Sequence, residues 1–172
     1  MGLEEIMREH ANQRALCAGK SVDELLAIAN GNEIEFIQAL EMAIQQKSER
    51  DGVDDMTEEE IIVLAIEALE REVNNGGYSQ FFVNSSREFT PIIVHALIRI
   101  GCPKTAEITK RAIEAAGFQG LAPMALAEAL DAYNGADDQA LDECDQLYYR
   151  AGENIGGRII AFAIANKNTI QP

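Results

Sequence analysis

His95 and Arg99 stand one helical turn apart, with Cys102 a further turn on. Residues at that spacing share a helix face. They form a polar stripe that could serve a small ligand or catalysis, or simply mark the boundary between core and solvent. The other histidine, His10, follows Ile6 and Met7 on the apolar stripe of the first segment and reads as a partly buried packing residue. No HExxH and no Glu-x-x-His pair occurs, so neither a zinc site nor a helical di-iron site is indicated. Asp51-Gly-Val-Asp-Asp55 lacks the alternating ligands and closing Glu of an EF-hand loop. No GxGxxG, P-loop or GxSxG motif appears. Carboxylates are abundant, but nothing singles out a pair in an apolar pocket, as two-carboxylate acid/base chemistry requires. The residue inventory therefore points to no enzyme, no metal and no cofactor.

What remains is charge. The chain of 172 residues has 29 acids and 14 bases, a formal net charge of −15. Residues 41–72 hold eleven acids against three bases, and residues 128–145 hold seven acids and no base. The first dense run includes Asp51, Asp54, Asp55, Glu58, Glu59 and Glu60, with Glu49 before it. The second is Glu128, Asp131, Asp137, Asp138, Asp142, Glu143 and Asp145. Direct binding to DNA or RNA is excluded by repulsion between phosphates and such a field. Acids three or four residues apart on a helix are separated by about 4.5–6 Å of rise, and phosphates by about 3.4 Å along each DNA strand. Rows of carboxylates could thus offer a phosphate-like potential to a basic protein. The plainer alternative is a solvated face.

Hydrophobic residues make up 47% of the chain, enough for an ordinary core without a disulfide or metal. Cys17, Cys102 and Cys144 are odd in number and widely spaced, which reads as reduced thiols of a cytoplasmic protein. The N-terminus has no basic start and no apolar run, so no signal peptide is expected. The apolar stretch at 159–165 is far shorter than the ~20 residues a membrane span needs.

The elements that must position these residues are helical. Apolar residues recur at steps of three and four, and glycines divide the chain into helix-length pieces. Helices are predicted near 3–17, 22–30, 33–48, 58–74, 78–85, 91–100, 104–116, 122–133, 137–150 and 154–167. Ser21-Val-Asp-Glu24 and Thr57-Glu-Glu-Glu60 match the capping box. Thr90 before Pro91 reads as an N-cap. The predicted fold is all-α: a single compact domain of about eight to ten helices over 1–172. Within it 1–50 could form an N-terminal helical subdomain, hinged near 49–56. Segments 92–100 and 159–164 are apolar on most of their circumference and read as the centre of the core. Aromatics are 6% and tryptophan is absent, so aliphatic packing is expected to carry it.

The most distinctive stretch runs from Glu72 through Asn74-Asn75-Gly76-Gly77, Tyr78, Gln80, Phe81-Phe82 and Asn84-Ser85. The glycines permit a sharp helix–helix turn. Phe81 and Phe82, adjacent on a helix, point about 100° apart and can meet two neighbours. Gln80 and Asn84 share a face; buried, the pair would lock the junction, and exposed it could bind a peptide or small polar ligand. This stretch resembles a bacterial domain family of unknown function that takes its name from a DNA-mimic protein. The resemblance rests on Glu72, Asn75, Gly76, Gly77, Gln80, Phe81, Phe82, Asn84 and Ser85, and covers residues 57–115, with 57–167 as the family-like core. It implies an all-α fold, no assigned catalytic residue, and at least one member described as imitating DNA.

The expected function is a non-enzymatic acidic interaction protein. Its surface near 51–60 and 131–145 would face a basic partner such as a DNA-binding transcription regulator, with binding weakened by salt. A homodimer is compatible with the sequence. The alternatives are a polar-ligand or enzymatic site around Asn75, Gln80, Asn84, His95 and Arg99, or an immunity-type protein that binds one partner by shape.

Overall fold

A computed structural model describes residues 2–135 and 139–172; within the first helix the side chains of residues 3, 6 and 10 lie outside that description, His10 among them. Among the described residues there are nine α-helices and no strand. They are α1 (Leu3–Cys17), α2 (Val22–Ala29), α3 (Glu33–Asp51), α4 (Glu58–Val83), α5 (Ile93–Arg99), α6 (Pro103–Ala115), α7 (Pro123–Ala132), α8 (Gln139–Arg150) and α9 (Ile155–Ala165). Short 3₁₀ turns at Val53–Asp55 and Ser85–Phe89 complete the set. The chain forms two compact units, one of residues 1–64 with 155–172 and one of residues 65–154. The 49–56 loop lies inside the first.

In the first unit α3 is packed by α1, α2 and α9. Its buried stripe, Phe36, Leu40, Ala43 and Ile44, follows the three-and-four spacing that keeps side chains on one helix face. Both expected capping boxes form. The Ser21 hydroxyl accepts the Glu24 N–H at 3.3 Å while the Glu24 carboxylate accepts the Ser21 N–H at 2.9 Å. Thr57 and Glu60 exchange the same pair of bonds at 3.2 and 2.9 Å. Each box satisfies amide donors that a helix start leaves free.

In the second unit α5 and α8 both pack on α6. Helix α6 has no side-chain cap at Cys102, and Glu153 supplies one: its carboxylate accepts the Lys104 and Thr105 N–H groups at 3.2 and 2.7 Å. Thr90 does not cap. Its backbone is right-handed helical (φ −50°, ψ −40°) instead of extended, and α5 begins three residues later.

Two expectations about the core are corrected. Helices α5 and α9 each bury one face only; Ile98 is 57% and Ile164 45% exposed. The apolar circumference seen in sequence therefore does not mean full enclosure. The core of the second unit is also not simply aliphatic. Phe82 meets Phe81, Phe118 and Tyr133 edge-on at ring separations of 5.5, 5.2 and 6.1 Å, and Tyr78 meets Tyr148 at 5.8 Å. These edge-to-face arrangements match the ring quadrupoles. Only Phe36 and Phe162 of the chain's aromatics lie outside 65–154, so a low overall fraction hides a local concentration. Cys17, Cys102 and Cys144 are buried thiols. No helix among the described residues is long and apolar enough to cross a membrane.

Candidate functional site

The acidic runs separate into carboxylates that hold the fold and carboxylates that face solvent. In the first run, Asp54 and Asp55 sit on the exposed turn Val53–Asp55 and carry no ion pair among the described residues. Glu58 is exposed and Glu59 half-buried in the first turn of α4. Asp51 is engaged by Arg50 through two bonds of 2.8 and 2.6 Å. Glu60 leaves the surface altogether: it is fully buried, with the Lys47 ammonium 2.9 Å from both its oxygens. A carboxylate folded back onto its own helix start cannot also present itself to a partner.

In the second run, Glu128 on α7 and Asp142 and Glu143 on α8 are exposed without ion pairs among the described residues. Asp142 and Glu143 lie opposite the buried Leu141, Cys144 and Tyr148 of α8, as amphipathic periodicity requires. Asp131 is exposed but bound to Arg87 at 2.7 Å. Asp145 is half-buried and structural, accepting the Tyr78 N–H at 2.8 Å. Asp137 and Asp138 lie outside the described residues. The first run falls in the first unit, and the described acids of the second run fall in the other.

The Asn-Gly-Gly stretch is a built junction. Helix α4 departs from helical geometry at Gly76 (φ −166°, ψ 23°) and Gly77 (φ 77°, ψ −176°), and its second arm restarts at Tyr78. Glu72, 7% exposed, accepts the Asn84 amide at 2.7 Å and the Ser86 hydroxyl at 3.0 Å, tying the two arms together. Gln80 lies half-buried over Gly76, Phe81 and Phe82 are fully buried, and Asn75 and Ser85 are exposed. His95 and Arg99 share the exposed face of α5.

A cavity of about 830 Å³ opens in the second unit, walled by the 85–94 segment, α6, the loop after it and α7. Arg87, Thr90 and Lys110 line it together with apolar side chains. Asn75, Gln80, Asn84, His95 and Arg99 do not. The polar-ligand alternative needed those five to converge, and Asn84 is instead spent on Glu72. Among the described residues no group of three or more His, Cys, Asp or Glu is placed to hold a metal ion.

Sequence reasoning missed Glu70. It stands four residues after Ile66 and three before Val73, both buried, so its position on the apolar stripe was a readable signal. The Tyr148 hydroxyl donates to it, and burial pushes its carboxyl up to about 7 from the ordinary 4.5. The neutral form is therefore the one that folding favours. This stabilisation is complete below about pH 4.5 and lost as the pH rises through about 7. Chemical denaturation across that window should show a loss on the order of 2–3 kcal/mol. Glu70→Gln should flatten that part of the profile; an unchanged slope would assign it to other groups.

A protein-family model described as DMP19-like protein matches residues 54–167. No curated protein and no solved structure matches the chain.

Proposed function

Because this chain belongs to the DMP19-like protein family, a family named for a DNA-mimic protein, we propose that it is a non-enzymatic acidic protein that occupies the DNA-binding surface of a basic partner, such as a transcription regulator. The observation that carries this reading is the exposed set Asp54, Asp55, Glu128, Asp142 and Glu143, without ion pairs among the described residues, in a chain of net charge −15. Carboxylates that fold no neighbour and pair with no base keep their full attraction for cations. Held on helices and a short turn, they need little reordering on binding, which is where association loses free energy. The partner's lysines and arginines would exchange phosphate for carboxylate, with steep salt dependence. Asp131 and Asp51 would join only by releasing Arg87 and Arg50. Glu60 and Asp145 take no part.

The test separates local charge from total charge. A partner retained at low salt should be displaced by duplex DNA. Asp54→Lys with Asp55→Lys, or Asp142→Lys with Glu143→Lys, should each weaken it about tenfold, or about 1.4 kcal/mol. Glu9→Lys with Glu107→Lys changes the net charge equally at exposed positions elsewhere and should leave affinity within about twofold. Equal losses from all three pairs, or retention in the presence of excess duplex, would reject this mode of recognition.

A further inference from the structure

Helix α7 is the least enclosed helix of the second unit. Its sequence, Pro-Met-Ala-Leu-Ala-Glu-Ala-Leu-Asp-Ala over 123–132, is mostly apolar, and apolar helices belong to interiors. Yet Leu130 alone is buried, and Met124 is 77% exposed. Among the described residues none of α5, α6 and α8 packs closely against it. What lies beneath it is the cavity of about 830 Å³. Pro123, Leu126, Ala127 and Leu130 line that space, and their spacing of three, one and three residues puts them on one helix face. The helix thus aims its apolar stripe at the body of the unit across a gap.

Its attachment is lopsided. At the C-terminal end Leu130 is buried, and Arg87 donates to the Leu130 carbonyl at 3.3 Å and to Asp131 at 2.7 Å. Just beyond, the Gly135 backbone presses on the second arm of α4: a Cβ there would meet Val83 Cγ2 at 3.0 Å and Ser79 Oγ at 3.1 Å. At the N-terminal end nothing comparable holds the chain. Residues 121–125 are all exposed, and no side-chain bond ties them to the rest of the described residues. Gly120, at φ 71°, turns into this end in open space, with no atom within 4 Å of where its Cβ would stand. Segments with few buried contacts open at low free energy. From Leu130 to Met124 the lever measures about 9 Å at 1.5 Å per residue.

We propose that α7 is a flap: anchored at 130–135, it swings its 121–127 end onto Val94 and Ile113 to close the cavity, and swings back to open it. Closure removes apolar surface from water on both sides of the gap. It buries no charge, because Lys110 and Glu88 on the rim are exposed and long side chains keep their heads in solvent.

Paired nitroxide labels on the full chain read this motion. Met124→Cys with Glu107→Cys reports the free end of α7 against α6, and Ala132→Cys with Glu107→Cys reports the anchored end; all three positions are exposed, whereas the native thiols are buried. Pulsed electron–electron distance measurement should give two populations for the first pair, the nearer being the closed flap, and one narrow population for the second. Pro123→Asp sits at an exposed lining position. It should cut the nearer population at least threefold, since closure would bury an unpaired carboxylate. Ala125→Asp adds the same charge on the outer face, away from the lining, and should leave the populations as they are. Neither substitution touches buried packing, so folding is not at stake. A single narrow distance for the Met124 pair, two populations at both ends, or the same response to the two aspartates would overturn the proposal.

Discussion

Replacing Gly77 by alanine is expected to destabilise the protein by about 3–5 kcal/mol, adding the glycine-only backbone cost to the loss of a half-buried cap. Gly77 holds φ 77° and ψ −176° inside α4, a combination that side-chain-bearing residues rarely adopt. A Cβ there would stand 2.0 Å from Asp145 Oδ2 and 2.6 Å from its Cγ. The carboxylate would have to move, and it is the group that accepts the Tyr78 N–H at 2.8 Å where the second arm of the helix restarts. Burial pushes the Asp145 carboxyl upward in pKa, against the Tyr78 bond that holds it down. Gly76 provides the contrast. Its φ of −166° is ordinary extended backbone, and a Cβ would meet the Gln80 Oε1, the end of a flexible side chain. Gly76→Ala should therefore cost less than about 1 kcal/mol in urea unfolding. In an Asp145→Ala background, where the collision is gone, Gly77→Ala should lose a good part of its effect. Equal costs at the two glycines would refute the division of labour between them.

That division shows where reading the sequence stops. The Asn-Gly-Gly break and both capping boxes were legible because their partners lie within four residues. Asp145 is 67 residues from Tyr78 along the chain, and no local pattern announces the pairing. The two glycines look interchangeable until a distant carboxylate distinguishes them. Helix boundaries were legible for the same local reason, to within a few residues at most ends. Thr90-Pro91 failed because its capping signal was met by a turn that keeps the threonine helical.

The acidic surface was half legible. Counting charges found the runs, but a charge count assigns every acid to solvent. Glu60 was marked twice, as the third residue of a capping box and as a member of a surface run. Only the first can hold, since the N3 side chain bends back toward its own N-cap. Asp131, Asp51 and Glu49 are drawn to Arg87, Arg50 and Arg14, bases so few that their placement decides which acids stay unneutralised. The family resemblance read from Glu72 to Ser85 belongs to the part of the chain that the family model covers. Its polar members Glu72 and Asn84 turned out to be bonded to each other, which is a reason of folding for those residue types at that spacing.

The second large effect is expected at Lys47. Glu60 is completely buried and accepts four bonds: two from the Lys47 ammonium at 2.9 Å, the Thr57 N–H at 2.9 Å and the Gln171 N–H at 2.8 Å. The carboxylate thus joins α3, the start of α4 and the C-terminal segment within the first unit. Lys47→Met keeps the aliphatic stem and removes only the charge, leaving an anion in the interior with two amide donors and no counter-ion. Breaking a buried pair from one side costs about 3–5 kcal/mol. Lys167→Met, whose partner Asp23 stands in solvent, should change stability by less than about 1 kcal/mol. The decisive variant is Lys47→Met with Glu60→Gln. A neutral amide needs no ammonium, but its one carbonyl oxygen replaces only one of the two that accept from Thr57 and Gln171, so the double variant should regain part of what the single one loses. Recovery would show that the interior requires charge balance at this point and tolerates the absence of both charges together. No recovery would mean that the lysine acts through its packing, and that the cost of an unpaired carboxylate had been misplaced.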